Sequence, residues 1–89
     1  MITVKNIHGT GENSGDWLKR WKMKNGYNSS SAIRCCVCGC GHTATDGAHV
    51  IVDGRGMRQF IVPMCHSHNL TYDVGLRAYD WSNPMSVVQ

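Results

Sequence analysis

The chain has 89 residues, a formal net charge of +3 with its histidines neutral, and five cysteines. A domain this small buries only about 60–65% of the surface its unfolded chain exposes, so its core is marginal and a staple is expected. Four of the thiols crowd into Cys35, Cys36, Cys38 and Cys40, a density and an odd total that argue against a disulfide framework and for thiolate ligation.

From the N-terminus, MITVKNIHG has no basic-then-apolar leader. No apolar run approaches membrane-spanning length, so the expected setting is the reducing cytoplasm with no membrane partner. Ile2, Val4 and Ile7 alternate with polar residues and predict a strand over 2–8. The stretch GTGENSG breaks it. Its glycines, Gly9, Gly11 and Gly15, are spaced G-x-G-x-x-x-G, and no strand-helix crossover fits so short a chain, so a loop is expected and no nucleotide cofactor.

Ser14 as cap, Asp16 in the first turn and Gly26 as stop predict a helix over 15–25. Trp17, Leu18 and Trp21 fall on one face and read as core, while Lys19, Arg20, Lys22 and Lys24 form a basic opposite face. That face reads first as solvated and second as a patch for a phosphate backbone.

After the linker YNSSS comes IRCCVCGCGH, and then GAHVIVDGRGMRQFIVPMC scans as strand, turn, strand. Asp53-Gly54 supplies the turn, Arg55-Gly56 lengthens it, and Pro63 should end the second strand because it cannot donate to a ladder. Residues 66–73 can start a short helix, and 76–89 offer only hints of extended structure. The chain therefore reads as a single α+β domain over 1–89. An N-terminal strand and helix (1–30) precede a core (35–73), and a C-terminal extension (74–89) follows it.

Cys35-x-x-Cys38-Gly39 has the form of a zinc knuckle, and Cys65-x-x-His68 supplies a second pair at the far end of the hairpin. Two such pairs make four ligands for one structural Zn²⁺. Cys36 and Cys40 form a competing C-x-x-x-C pair, and His66 and His42 are reserve ligands. Three thiolates and one zinc ion together would reduce the net charge to +2.

Over about residues 35–73 the pattern resembles the zinc-stapled HNH, or ββα-metal, nucleases of the treble-clef type. Gly47-Ala48-His49-Val50 resembles the strand carrying the catalytic histidine, and Cys65-His66-Ser67-His68-Asn69 the second zinc pair with the helix that follows. The resemblance implies His49 as general base and Asn69 as ligand of a catalytic Mg²⁺. Position 48 is Ala where these nucleases often place a metal ligand, so Mg²⁺ would rest on Asn69 with Asp46 or Asp53, a poor oxygen set. The bland role for His49 is a hydrogen bond inside the hairpin. The expected function is a zinc-binding HNH-like module that binds nucleic acid or protein without catalysis. The alternative is an active Mg²⁺-dependent endonuclease, and a thiol-based sensor using the spare cysteines is a weaker third.

Overall fold

Alternation along the apolar runs builds the sheet. The structure, a computed structural model, describes residues 1–7 and 14–87. Among them β1 (Ile2–Asn6), β2 (Asp46–Val52), β3 (Gln59–Met64), β4 (Leu76–Ala78) and β5 (Met85–Ser86) form one antiparallel sheet in the order β4-β1-β2-β3-β5. Helices α1 (Ser14–Lys24) and α2 (His66–Asn69) complete an α+β fold. No helix among the described residues is long and apolar enough to cross a membrane.

The β2–β3 hairpin is central, with Asp46 opposite Met64 at one end and Ile51 opposite Gln59 at the other. Its loop exceeds two residues, and Gly54 and Gly56 take φ of +85° and +66° there.

Odd positions of β2 face α1. A side chain at 47 is impossible without moving the helix, since a Cβ on Gly47 would lie 2.5 Å from the Leu18 backbone nitrogen. Leu18 and Trp21 dock the helix, and Trp21 joins Ile33 and Ile61 in a small core ringed by Trp17, Met85 and Val87. The Trp21 indole Nε1 donates to the carbonyls of Ser82 (3.0 Å) and Asn83 (3.1 Å). That anchor holds the chain at Ser82 and Asn83, in a segment where only hints of extended structure are expected.

Even positions face the other side, where Val4, Ala48, Val50, Val52, Phe60, Val62, Met64 and Ala78 pack with Cys35, Cys36 and Val37. The cysteine-rich segment covers this face. Cys36 N–H donates to the Pro63 carbonyl, Cys38 N–H to the Arg77 carbonyl, and Tyr79 N–H to the Cys36 carbonyl. Residues 36–38 thus link β3 to β4 through their backbone, with Val37 in an antiparallel bridge to Ala78.

Several sequence expectations shift. Helix α1 begins at Ser14, so Ser14 is its first residue rather than its cap, and it ends at Lys24 before Gly26 at φ +82°. β1 ends at Asn6; His8 and the expected loop at 9–13 lie outside the described residues. α2 is shorter than the 66–73 segment from which it was expected. β3 runs through Pro63 to Met64. The Pro63 carbonyl points to Cys36, away from β2, so its missing N–H falls on that same outer side and no β2 ladder bond is lost. Lys22 leaves the solvated face: the chain turns back so that Tyr27 N–H meets the Lys22 carbonyl, and the buried Lys22 Nζ donates to the Ser29 carbonyl.

Trp21→Ala should cost about 3–5 kcal/mol in urea denaturation; a loss below about 0.5 kcal/mol would mean the ring carries little of the helix docking. Gly47→Ala should destabilise by about 1–3 kcal/mol through displacement of α1, and an unchanged urea midpoint would contradict that close approach.

Candidate metal centre

Two chain reversals build the site. Cys35 sits beside the Arg34–Thr43 bridge, with its N–H donating to the His42 carbonyl. From Val37 the chain turns, Cys40 N–H reaching the Val37 carbonyl, with Gly39 and Gly41 at φ of +80° and +76°. This returns Cys40 to Cys35. Cys65 follows β3 directly, with φ −71° and ψ 158°, and caps α2, so His68 lies one turn further on.

The ligand atoms of Cys35, Cys40, Cys65 and His68 all lie within 4.8 Å of one another. Cys40 Sγ is 3.8 Å from Cys65 Sγ, and His68 Nδ1 is 3.3 Å from Cys65 Sγ and 3.8 Å from Cys35 Sγ. A tetrahedron with zinc–sulfur bonds of ~2.3 Å has edges of ~3.8 Å, so these three separations are of the size a bound zinc ion would require. Three thiolates and an imidazole are also a donor set that zinc favours.

Cys35, Cys65 and His68 stand where their spacing put them, but the fourth member is Cys40, the runner-up, and not Cys38. The bridge between Val37 and Ala78 places the turn at 37–40, so the first pair spans five positions rather than three. Cys38 Sγ instead contacts Met1 Sδ at 3.3 Å. Cys36, the other runner-up, is fully buried in the apolar core. A glycine follows both Cys38 and Cys40, so the glycine signal alone could not choose between them. The reserve residue His42 lies beside the site, its Nδ1 3.4 Å from Cys40 Sγ.

Protonation differs sharply among these thiols in the chain alone. Burial pushes Cys35 up to about 12 and Cys36 higher still. For Cys40, burial acts upward, but the His42 backbone and ring and the thiols of Cys65 and Cys35 outweigh it and bring it down to about 6. Cys40 is thus the thiolate ready for a cation, while Cys35 must give up its proton to one. Metal uptake should therefore release protons and tighten as pH rises.

Beside the thiols stands a polar group. Asp46 Oδ2 lies 2.8 Å from His66 Nδ1 and accepts from Asn69 Nδ2 at 2.8 Å, while Asp46 Oδ1 accepts from the Thr45 hydroxyl. Burial opposes ionisation of this carboxyl, yet the bonds from His66, Asn69 and Thr45 and the His66 charge hold it below the usual aspartate value.

The structure does not bring His49 and Asn69 together. Asn69 reaches Asp46 on the thiol side of β2, whereas His49, three positions on, projects toward α1, its ring edge-on to Trp17 with centroids 5.0 Å apart. Burial lowers the His49 pKa and favours the neutral ring. His49 Nδ1 is buried without a hydrogen-bond partner among the described residues. Asp53, the other acid considered for Mg²⁺, is exposed in the turn.

Compared with protein-family models, with curated proteins and with solved structures, the chain matches none. The HNH resemblance therefore rests on the motifs alone.

Cys40→Ser should weaken zinc binding severely and Cys38→Ser should leave one zinc per chain, measured by elemental analysis and chelator competition. The opposite ranking would restore Cys38 as the ligand.

Proposed function

We propose that this chain is a zinc-stapled, non-hydrolytic module that binds nucleic acid, with zinc in a structural role. The observation that carries the reading is the Cys35–Cys40–Cys65–His68 set: four protein donors close a tetrahedron and leave no open position for a reacting molecule. The metal would tie the segment that covers one sheet face to the end of the hairpin, which is the staple so small a core requires. The free thiols suit a reducing compartment, in keeping with a cytoplasmic protein.

Nucleic acid is favoured over a protein partner by the exposed side of α1. Lys19, Arg20 and Lys24 project from it, and the Arg20 guanidinium lies 4.8 Å over the Trp17 ring, a cation held on an aromatic plate. Lys5, Arg55 and Arg58 are exposed as well. The charge is modest, so the binding should be weak, salt-sensitive and indifferent to sequence.

The endonuclease alternative asks His49 and an Asn69-held Mg²⁺ to act on one phosphate. Side chains on opposite faces of β2 do not meet there, and Asn69 presents its amide N–H₂ to Asp46. A distant HNH relationship remains compatible with a module that keeps the zinc pairs and lacks a working base.

Fluorescence anisotropy with labelled single- and double-stranded 20-mers tests the reading. Affinity should fall with salt along a log–log slope of about −2 to −3, as expected for about three phosphate contacts. Lys19→Glu with Lys24→Glu should reduce both affinity and slope. Equal binding by the reversed protein, or no binding to either oligonucleotide, would shift the reading to a protein partner. Supercoiled plasmid with Mg²⁺ should remain unnicked; nicking that disappears in His49→Ala would establish the nuclease instead.

A further inference from the structure

Helix α2 has four residues and none of them is buried. It therefore has no apolar face to set its orientation, yet His68 must point its Nδ1 at three sulfurs. What reaches α2 from the sheet is polar. Asn6 Nδ2 donates to the carbonyls of His68 (2.9 Å) and Thr71 (2.8 Å), gripping the helix and the turn after it from β1. Asp46 at the start of β2 accepts from Asn69 and holds His66, each at 2.8 Å. These two residues are only 4% and 5% exposed and lie on strand faces otherwise filled by valine and alanine.

Burying an amide and a carboxylate among valines carries a desolvation cost that apolar residues would avoid. Asn6 Oδ1 is buried with no partner among the described residues, so the site retains that cost for the sake of what Nδ2 does. Both side chains direct their bonds to α2, one to the backbone of the His68 residue itself and the other to its neighbour in sequence. Outer groups that fix the orientation of a ligating histidine tune metal affinity in general.

We propose that Asn6 and Asp46 form a two-point clamp from the sheet that aims His68 at Cys35, Cys40 and Cys65, and so sets the zinc affinity of the chain. The proposal rests on the zinc reading above and adds two positioning residues to it. Neither touches the ligand atoms. Each acts through α2, so the sheet and the metal are coupled: a shift of β1 against β2 is transmitted to His68.

The test uses the full chain and measures zinc affinity by chelator competition, with the visible absorption of the Co²⁺-substituted protein as a second readout. Asp46→Asn removes the carboxylate charge and leaves one carbonyl oxygen where Asp46 uses two for His66, Asn69 and Thr45, and should weaken zinc binding about 10–100-fold with an altered Co²⁺ spectrum. Asn69→Ala, at a half-buried position that leaves the sheet intact, should weaken it in the same direction and keeps the test decisive should Asp46→Asn fail to fold. Restoring the pair in reverse, Asp46→Asn with Asn69→Asp, should recover most of the loss. Zinc affinity and Co²⁺ spectra within about twofold of wild type in both single variants, with only the melting temperature lowered, would overturn the clamp and leave the residues a purely fold-stabilising part. Wild-type protein that takes up no zinc or Co²⁺ would instead overturn the zinc reading on which the clamp stands.

Discussion

The meeting of two thiols from one turn with a thiol and an imidazole from another is the constraint on which the remaining structure depends. Those pairs lie at the two ends of the sequence that forms the central hairpin, so joining them fixes where the hairpin starts and where it stops. Residues 36–38 can then lie only between β3 and β4, and their N–H and carbonyl groups satisfy strand edges on both sides. One set of four atoms accordingly decides how one sheet face is covered, which edge is sealed and where α2 begins.

The opposite face is organised by a different device. There the governing contact is steric: Gly47 lets the α1 backbone approach β2, and Trp21 then spans from Ile61 to the Ser82 and Asn83 carbonyls. His49 belongs to this face, tucked edge-on to Trp17. Helix docking thus occupies the position that catalysis would need, and the two halves of the molecule divide their labour between metal ligation and packing.

Much of this was legible in the sequence, and the exceptions have physical causes. The hairpin, α1 and its Trp17–Leu18–Trp21 face follow from local periodicity, and Cys35, Cys65 and His68 from pair spacing. Whether Cys38 or Cys40 completed the set depended on where the chain turned after Cys35, which goes with the backbone bonds of Cys36 and Cys38 to Pro63 and Arg77, residues far along the chain. Pro63 within β3 escaped for the same reason, since only the tertiary arrangement shows which way its missing N–H points. The burial of Lys22 needed the return of residues 27–29, and the order of the C-terminal segment needed the Trp21 indole. Asn6 and Asp46 carried no motif at all; they stand out only once α2 is seen to have nothing buried.

If the four-donor site holds zinc, the seal formed by residues 36–38 has a further consequence on loss of that metal. Releasing Cys40 from Cys65 and His68 frees the segment whose backbone pairs with the Arg77 carbonyl and the Tyr79 N–H. These groups would then form an open strand edge beside exposed Val74, and an open edge is a template on which a second chain can add a strand. Loss of metal from such a site would therefore do more than soften one chain. It would convert an intramolecular closure into a site for self-association, and the damage should then grow with protein concentration.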